Sequence, residues 1–439
     1  MEQFSSKIFL WYLRVAAKIQ LAKSKPKIIG IGGSAGKSSL CKILETVLKE
    51  KFRVKASQGL NTETGVPLSI LNLPPKDYSL FDWARIILLI PIKLLTQWQK
   101  YDFYIVEMAT EEPNDISYLL KIIKPGFATL TNISIEHSEN FDPFVKKDSK
   151  NYEKAVLELI EKEESTLIKK LSADGTAILN IDDERISKLR SKTKAKVITM
   201  SLKDEKTDFY VKKIEMDFKR LKLEIINKNK TYYLNIKRPL SYAYIYTILL
   251  AIALSNACGI KTENAIKTIE KKFTLPGGRL SIFEGIKNTM LIDSTYNAQP
   301  IAVLDALDFL KIVARDKKRV AILGDMRELG KISKIEHERI AERIKETVDF
   351  TILIGPLMKK YTAPILKKNG KDYKAFNTFT DAKEFILKKI EKDDVILIKG
   401  SQNTLLLERV TEMLLKDKKN KKKLCRPKPS WEKKRQKTP

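Results

Sequence analysis

The residues best suited to chemistry stand at 28–39, which read Ile-Ile-Gly-Ile-Gly-Gly-Ser-Ala-Gly-Lys-Ser-Ser. An apolar run feeds a glycine-rich turn, and a lysine and a serine then open a helical pattern. Glycines let backbone amides face oxygen anions, and a helix start adds partial positive charge. A phosphate site is the expectation. Gly33, Ser34, Ala35 and Gly36 form the turn and Lys37, Ser38 and Ser39 follow it. In such a turn the lysine reaches the outer phosphates and the serine holds magnesium. The strict phosphate-loop spacing is missed by one position, because Ile31 stands where its first glycine would be. The strand–turn–helix context favours nucleotide binding over an accidental glycine turn.

Further polar candidates follow. Glu107 ends an apolar run at 103–107, and open α/β sheets place ligands at such strand ends. His137 is one of two histidines. The other, His337, lies between Glu336 and Glu338 in a helical pattern and reads equally as a helix-face residue. Asp182-Asp183 precedes Glu184, so a helix cap competes with a site role there.

The elements that must position these groups alternate. An amphipathic helix is expected over 1–23, then a strand at 27–30 and a helix at 37–48. The apolar stretch 80–98 is interrupted by Asp82, Arg85, Pro91 and Lys93, too often for a transmembrane helix. It reads as an interfacial helix pair or as an insertion packed on the domain, and packing is favoured. Strands recur at 103–107, 128–131, 176–180 and 196–200, and 209–236 alternates as antiparallel strands. An apolar helix at 242–258 stops at Gly259. Pro276-Gly277-Gly278 is the clearest linker signal, and a second strand–helix alternation runs from 290 to 415. The fold class is therefore α/β: a central P-loop ATPase domain with a mostly parallel sheet, then a C-terminal Rossmann-like α/β domain. The expected boundaries are an N-terminal helix at 1–26, the central domain at 27–278, the C-terminal domain at 279–415 and a basic disordered tail at 416–439.

Of the 439 residues 43% are hydrophobic, ample for such cores. Cys41, Cys258 and Cys425 lie far apart, which argues against a disulfide framework or zinc site and fits a reducing, cytoplasmic location. No secretory signal is read at the N-terminus. The formal charge is +29, and residues 416–439 hold twelve Lys or Arg against Asp417 and Glu432. The remaining charge is spread over helix faces without a recognition helix, so no nucleic-acid partner is expected. The tail leaves peripheral membrane contact open.

The motifs together resemble the Mur ligase family. The turn at 30–39 is similar to that family's nucleotide loop, and 61–68, Asn-Thr-Glu-Thr-Gly-Val-Pro-Leu, to the stretch after its first helix. Glu107-Met108, Thr131-Asn132-Ile133 with Glu136-His137, Asn180-Ile181-Asp182-Asp183 and Gly278-Arg279 follow in family order. The 293–300 segment, Asp-Ser-Thr-Tyr-Asn-Ala-Gln-Pro, the run from Gly324 to Gly330 and Lys399-Gly400-Ser401 are most like the branch that adds D-alanyl-D-alanine. The resemblance covers about residues 27–412. It implies an ATP- and Mg2+-dependent ligase that joins a carboxylate to an amine through an acyl-phosphate. It implies that Lys37 and Ser38 serve the phosphates and first magnesium, Asn61 the γ-phosphate, and Glu107 and His137 a second magnesium. Arg279 and Asp293 would clasp the nucleotide from the last domain, with Tyr296 and Asn297 along its edge.

This chain departs from the family pattern in three places. Only about 26 residues precede the nucleotide strand, so no sugar-nucleotide domain is read. Tyr244 or Tyr246 would have to stack on the adenine, because the family's usual asparagine is missing. Glu164 falls in the register of a carbamylated lysine and is expected to support the second magnesium. The partners implied are an acceptor carboxylate, small-molecule or peptide, and an amine such as a D-alanyl-D-alanine-like dipeptide, handled by a monomer. A polyglutamate-type acceptor and a nucleotide-binding protein without ligase chemistry are the alternatives.

Overall fold

The computed structural model describes residues 2–57, 59–146, 151–401, 405–426 and 431, with side chains from residue 8 onward. Two sheets organise the chain. The first contains β1 (Lys27–Gly32), β2 (Val54–Ala56), β3 (Phe103–Glu107), β4 (Phe127–Leu130), β5 (Thr176–Asn180) and β6 (Lys196–Ser201). It continues into β7 (Phe209–Met216), β8 (Leu221–Asn227) and β9 (Lys230–Ile236). The order is β2-β3-β1-β4-β5-β6-β7-β8-β9, parallel as far as β7 and antiparallel beyond it. From β1 the chain builds toward β3 and β2 on one side and toward β4 on the other. The β1/β4 boundary is therefore the switch point where such sheets open a ligand crevice. β1 is buried on both faces, as its unbroken apolar run requires of a central parallel strand.

Helices α1 (Glu2–Ser24), α2 (Lys37–Leu48), α3 (Gly65–Ile70), α4 (Leu80–Thr96), α5 (Asp115–Leu119), α6 (Tyr152–Lys169), α7 (Glu184–Ser187), α8 (Tyr242–Ala257) and α9 (Thr262–Lys272) belong to this first unit. α8 is apolar all round because it is buried, its body packed among α2, α9 and the sheet. Gly259, at φ 91°, ends it. α4 departs in part from the sequence expectation. Ser79 caps it, accepting from the Asp82 amide at 3.2 Å, and its inner side, Ile86 and Ile90, packs on Leu13, Ala16, Leu68 and Leu71. Packing holds for that side alone: Leu80, Phe81, Leu88 and Leu95 face outward. No described helix is long and apolar enough to cross a membrane.

The second sheet contains β10 (Ser281–Glu284), β11 (Met290–Ser294), β12 (Arg319–Gly324), β13 (Phe350–Ile354), β14 (Tyr373–Phe376) and β15 (Val395–Lys399), ordered β10-β11-β15-β12-β13-β14. All its pairs are parallel except β10 with β11. α10 (Pro300–Ala314), α11 (Ser333–Thr347) and α12 (Ala363–Lys368) cover one face; α13 (Phe379–Lys389) and α14 (Glu408–Leu414) cover the other.

The tail corrects the sequence reading. Residues 416–426 are not a disordered run. A short helix spans Lys418–Lys423, and Leu424 and Cys425 are 3% and 5% exposed. Leu424 joins the core under α13 and α14. Arg426 pairs with Glu408 at 3.1 Å and donates to the Tyr296 carbonyl at 2.7 Å. The rest of the expected tail lies outside the described residues, apart from Trp431.

Candidate active site

The loop after β1 leads into an uncapped helix start that faces the cleft. Gly33 and Gly36 stand at φ 107° and 92°. A Cβ on Gly33 would sit 2.4 Å from Thr131 Oγ1, so only glycine fits there. Gly36 is the N-cap of α2 and supplies no side-chain cap, which leaves the first amides of the helix directed at the cleft. The loop is tied to the end of β4: the Ser34 amide donates to the Asn132 carbonyl at 2.9 Å, and the Ala35 amide to Asn132 Oδ1 at 3.2 Å.

Charged and polar groups converge on this loop. Lys37 Nζ donates to the Gly33 carbonyl, to the Ser34 carbonyl at 3.0 Å and to Glu136 Oε1 at 2.9 Å. Burial works against its charge, but Glu136, helped by Glu164 and Glu107, outweighs burial and raises its pKa. Ser38 Oγ donates to Glu107 Oε1 at 2.9 Å, and Asn61 Nδ2 to the same oxygen at 3.3 Å. A hydroxyl and a carboxylate side by side at a helix start form an oxygen donor set suited to a small hard cation beside a phosphate.

Glu164 lies beneath the loop. It is fully buried, and its Oε2 accepts the Gly33 amide at 2.7 Å. The Thr110 hydroxyl stands beside this carboxyl and, with the Gly33 amide, favours its charged form. Burial, reinforced by Glu136, pushes this carboxyl up to about 7 against the pull of Lys37 and the Gly33 amide. Lys162, two residues earlier, is exposed.

The C-terminal unit forms the far wall of a cleft of about 650 Å3. Arg279 Nη1 donates to Ser39 Oγ at 3.1 Å, and its guanidinium lies 4.5 Å from the Tyr296 ring centroid. Asn297 lines the same wall, and Lys399 Nζ donates to its carbonyl at 2.9 Å and to Ser294 Oγ at 3.1 Å. Asp293 does not line the cleft. It is fully buried behind the wall, accepting from Thr295 at 2.7 Å and Thr411 at 3.1 Å. Burial pushes its carboxyl up to about 6.

His137 faces the other unit as well. It stands at φ 48°, with Nδ1 2.9 Å from Glu328 Oε2. That carboxylate, first among the causes, raises the histidine pKa. Ser138 Oγ donates to the Leu329 carbonyl at 3.0 Å, which docks this loop on the segment after β12. Glu107 and His137 both line the cleft, whereas Glu164 lies beneath the loop and does not. Among the described residues no group of three His, Cys, Asp or Glu could hold a metal ion. His337 is fully buried; its Nε2 accepts the Met326 amide at 3.2 Å and its Nδ1 meets the Ser333 carbonyl at 2.7 Å. It pins the docking segment. Asp183 caps α7, accepting the Arg185 amide at 2.9 Å and the Ile186 amide at 3.1 Å. Asp182 accepts from the Tyr246 hydroxyl at 2.8 Å, and Tyr244 sits beside Arg279 and Ser39.

Two cleft residues escaped the sequence reading of the site. Glu136, the partner of Lys37, is adjacent in sequence to His137, and that adjacency was the available signal. Lys399 opens the Lys-Gly-Ser run, yet nothing in the sequence marks it as buried. Burial pulls its pKa down to about 8.

Uncapped amides at a helix start with a buried lysine, an oxygen pair beside them and a cationic wall on a second unit define a nucleotide-dependent transferase or ligase site. The Mur ligase middle domain matches residues 31–254, and the Mur ligase glutamate ligase domain matches 278–402. The chain belongs to the Mur ligase family, and its activity is that of an ATP-dependent ligase joining an acid to an amine. The chain is 26% identical over 410 residues to the UDP-N-acetylmuramoyl-tripeptide–D-alanyl-D-alanine ligase of Buchnera aphidicola from Acyrthosiphon pisum, covering 91% of this chain and 79% of the relative. It is 24% identical to the Bacillus subtilis protein of that name, covering 92% and 79%. Its fold matches MurF from Acinetobacter baumannii with a TM-score of 0.75 at 20% identity, covering 92% and 80%. It matches MurF ligase from Thermotoga maritima in complex with ADP with a TM-score of 0.72 at 24% identity, covering 92% and 83%.

Proposed function

We propose that this ligase acts in the cytoplasm and joins D-alanyl-D-alanine to the terminal carboxylate of a UDP-N-acetylmuramoyl tripeptide, releasing ADP and phosphate. The observation that carries this reading is the extent of the match. Relatives that bear this activity in their names align with about nine-tenths of the chain, across both units. The cleft chemistry is consistent with it. A carboxylate must attack a γ-phosphate although both are anionic, so positive charge has to offset the repulsion.

In this reading Lys37 and the α2 amides hold the β- and γ-phosphates. Ser38 and Glu107 are the protein ligands of magnesium, with Asn61 holding the Glu107 carboxylate and facing the γ-phosphate. Bound there, the metal supplies Lewis-acid charge to the phosphate oxygens. Arg279, stacked on Tyr296, clasps the nucleotide from the second unit, and Asn297 borders it. Asp293 acts through Thr295, orienting the wall that bears Tyr296. His137 is oriented by Glu328 through Nδ1 and Glu164 by the Gly33 amide through Oε2, which leaves Nε2 and Oε1 as the atoms that would serve a second magnesium.

The test is ADP formation by the purified chain with ATP and magnesium. The expected result is turnover only when the muramoyl tripeptide and D-alanyl-D-alanine are both present. Turnover with a polyglutamate acceptor instead, or ATP hydrolysis indifferent to the amine, would refute this assignment.

A further inference from the structure

Helix α4 is apolar on two sides, and one of them is uncovered. Ile86 and Ile90 are fully buried against α1 and α3. Leu80, Phe81, Leu88, Ile92 and Leu95 point the other way and are between 53% and 90% exposed. Positions 81, 88, 92 and 95 recur at helical spacing and share a face. The helix has 17 residues, a length of about 25 Å.

Tyr78 and Trp98 flank the helix at its two ends, 64% and 69% exposed, and Trp11 of the adjoining α1 is 55% exposed. Aromatic rings with one polar edge settle at the headgroup level of a bilayer. Lys76, Arg85, Lys93 and Lys100 lie along the same stretch, and Lys23 stands 4.8 Å from the Trp98 ring centroid. The one acid of the helix, Asp82, is turned inward and paired with Arg85 at 2.5 Å. None of the exposed apolar residues lines the cleft.

We infer that α4 docks on an anionic lipid surface, lying in the plane of the headgroups with its outer side in the acyl boundary. Charge selects the occupant. The chain carries +29, so a second copy brought to this face is repelled, whereas anionic lipid attracts it. Apolar area and basic residues together are what an in-plane helix requires.

Flotation of the full chain with phosphatidylcholine–phosphatidylglycerol vesicles, and with phosphatidylcholine vesicles alone, tests the inference. The chain should float with the mixed vesicles and much less with the neutral ones. Leu88→Glu combined with Leu95→Glu should cut the bound fraction at least about tenfold, with ADP formation and far-UV circular dichroism unchanged. Absence of flotation overturns the inference, and so does flotation that the double variant leaves intact, which would transfer the binding to other basic residues. Self-association that the double variant abolishes, without flotation, would make this face an interface between copies and overturn it too. If the double variant fails to fold, tryptophan quenching by brominated lipid decides. Quenching should be smaller in Trp98→Phe than in the unaltered chain, and equal quenching overturns the inference.

Discussion

Lys37 is the buried cation beside the phosphate loop, so Lys37→Ala should lower ADP formation at least about 100-fold, the low end for removal of an electrostatic stabiliser. Steady-state turnover on folded protein checks this, and wild-type rates would refute the nucleotide role of the loop. Glu164 gives a second expectation at this scale. Burial raises its carboxyl to about 7 from an ordinary 4.5, so the folded state holds a proton there that the unfolded chain releases earlier. Its contribution is fully present below pH 4.5 and is lost as pH rises through about 7. Melts across that range should show a shallower decline for Glu164→Gln than for the parent. Glu336, also near 7, is common to both proteins and cancels in the difference. Identical slopes would refute the argument. The residue types and their order were enough to bring Lys37, Ser38, Asn61 and Glu107 to attention. The partners of Lys37 and His137 were not legible, because Glu136 and Glu328 are set by how loops cross, not by any local pattern. Glu164 shows the limit: its register was read from spacing, but which way a helical side chain points depends on the sheet it packs against.

Periodicity and glycine positions located most strands and long helices, since a buried parallel strand and an apolar helix declare themselves in composition. The elements that eluded that reading carry mixed signals. α4 is apolar on two sides, so its period names no single buried face. In the tail, Leu424 and Cys425 sit in a lysine run whose charge hides them. Leu424 is 3% exposed within the core under α13 and α14. Leu424→Ala should therefore destabilise the protein by about 2–5 kcal/mol, the usual cost of truncating a buried leucine. Denaturant unfolding measures it, and an unchanged midpoint would mean that this segment contributes nothing to the fold.

The two units meet through the cleft and through the loop that docks His137 on Glu328. That ion pair links the sheets, and its pH response has a definite sign. Glu328 raises the His137 pKa, so the pair stabilises the contact below the ordinary histidine value, and the stabilisation is lost as pH rises through the raised one. Glu328→Gln should return the His137 titration, followed by NMR, toward its ordinary value; an unmoved titration would place the cause elsewhere. Arg279 and Tyr296 come from the second unit while Lys37 and Glu107 come from the first, so the chemistry needs both. In the proposed reaction the cleft activates a carboxylate by phosphorylating it. Acceptor labelled with oxygen-18 in its carboxylate, turned over with ATP and the amine, tests this directly. Each inorganic phosphate released should carry one oxygen from the acceptor. Phosphate free of label would mean that water attacks the nucleotide, and would contradict that reaction.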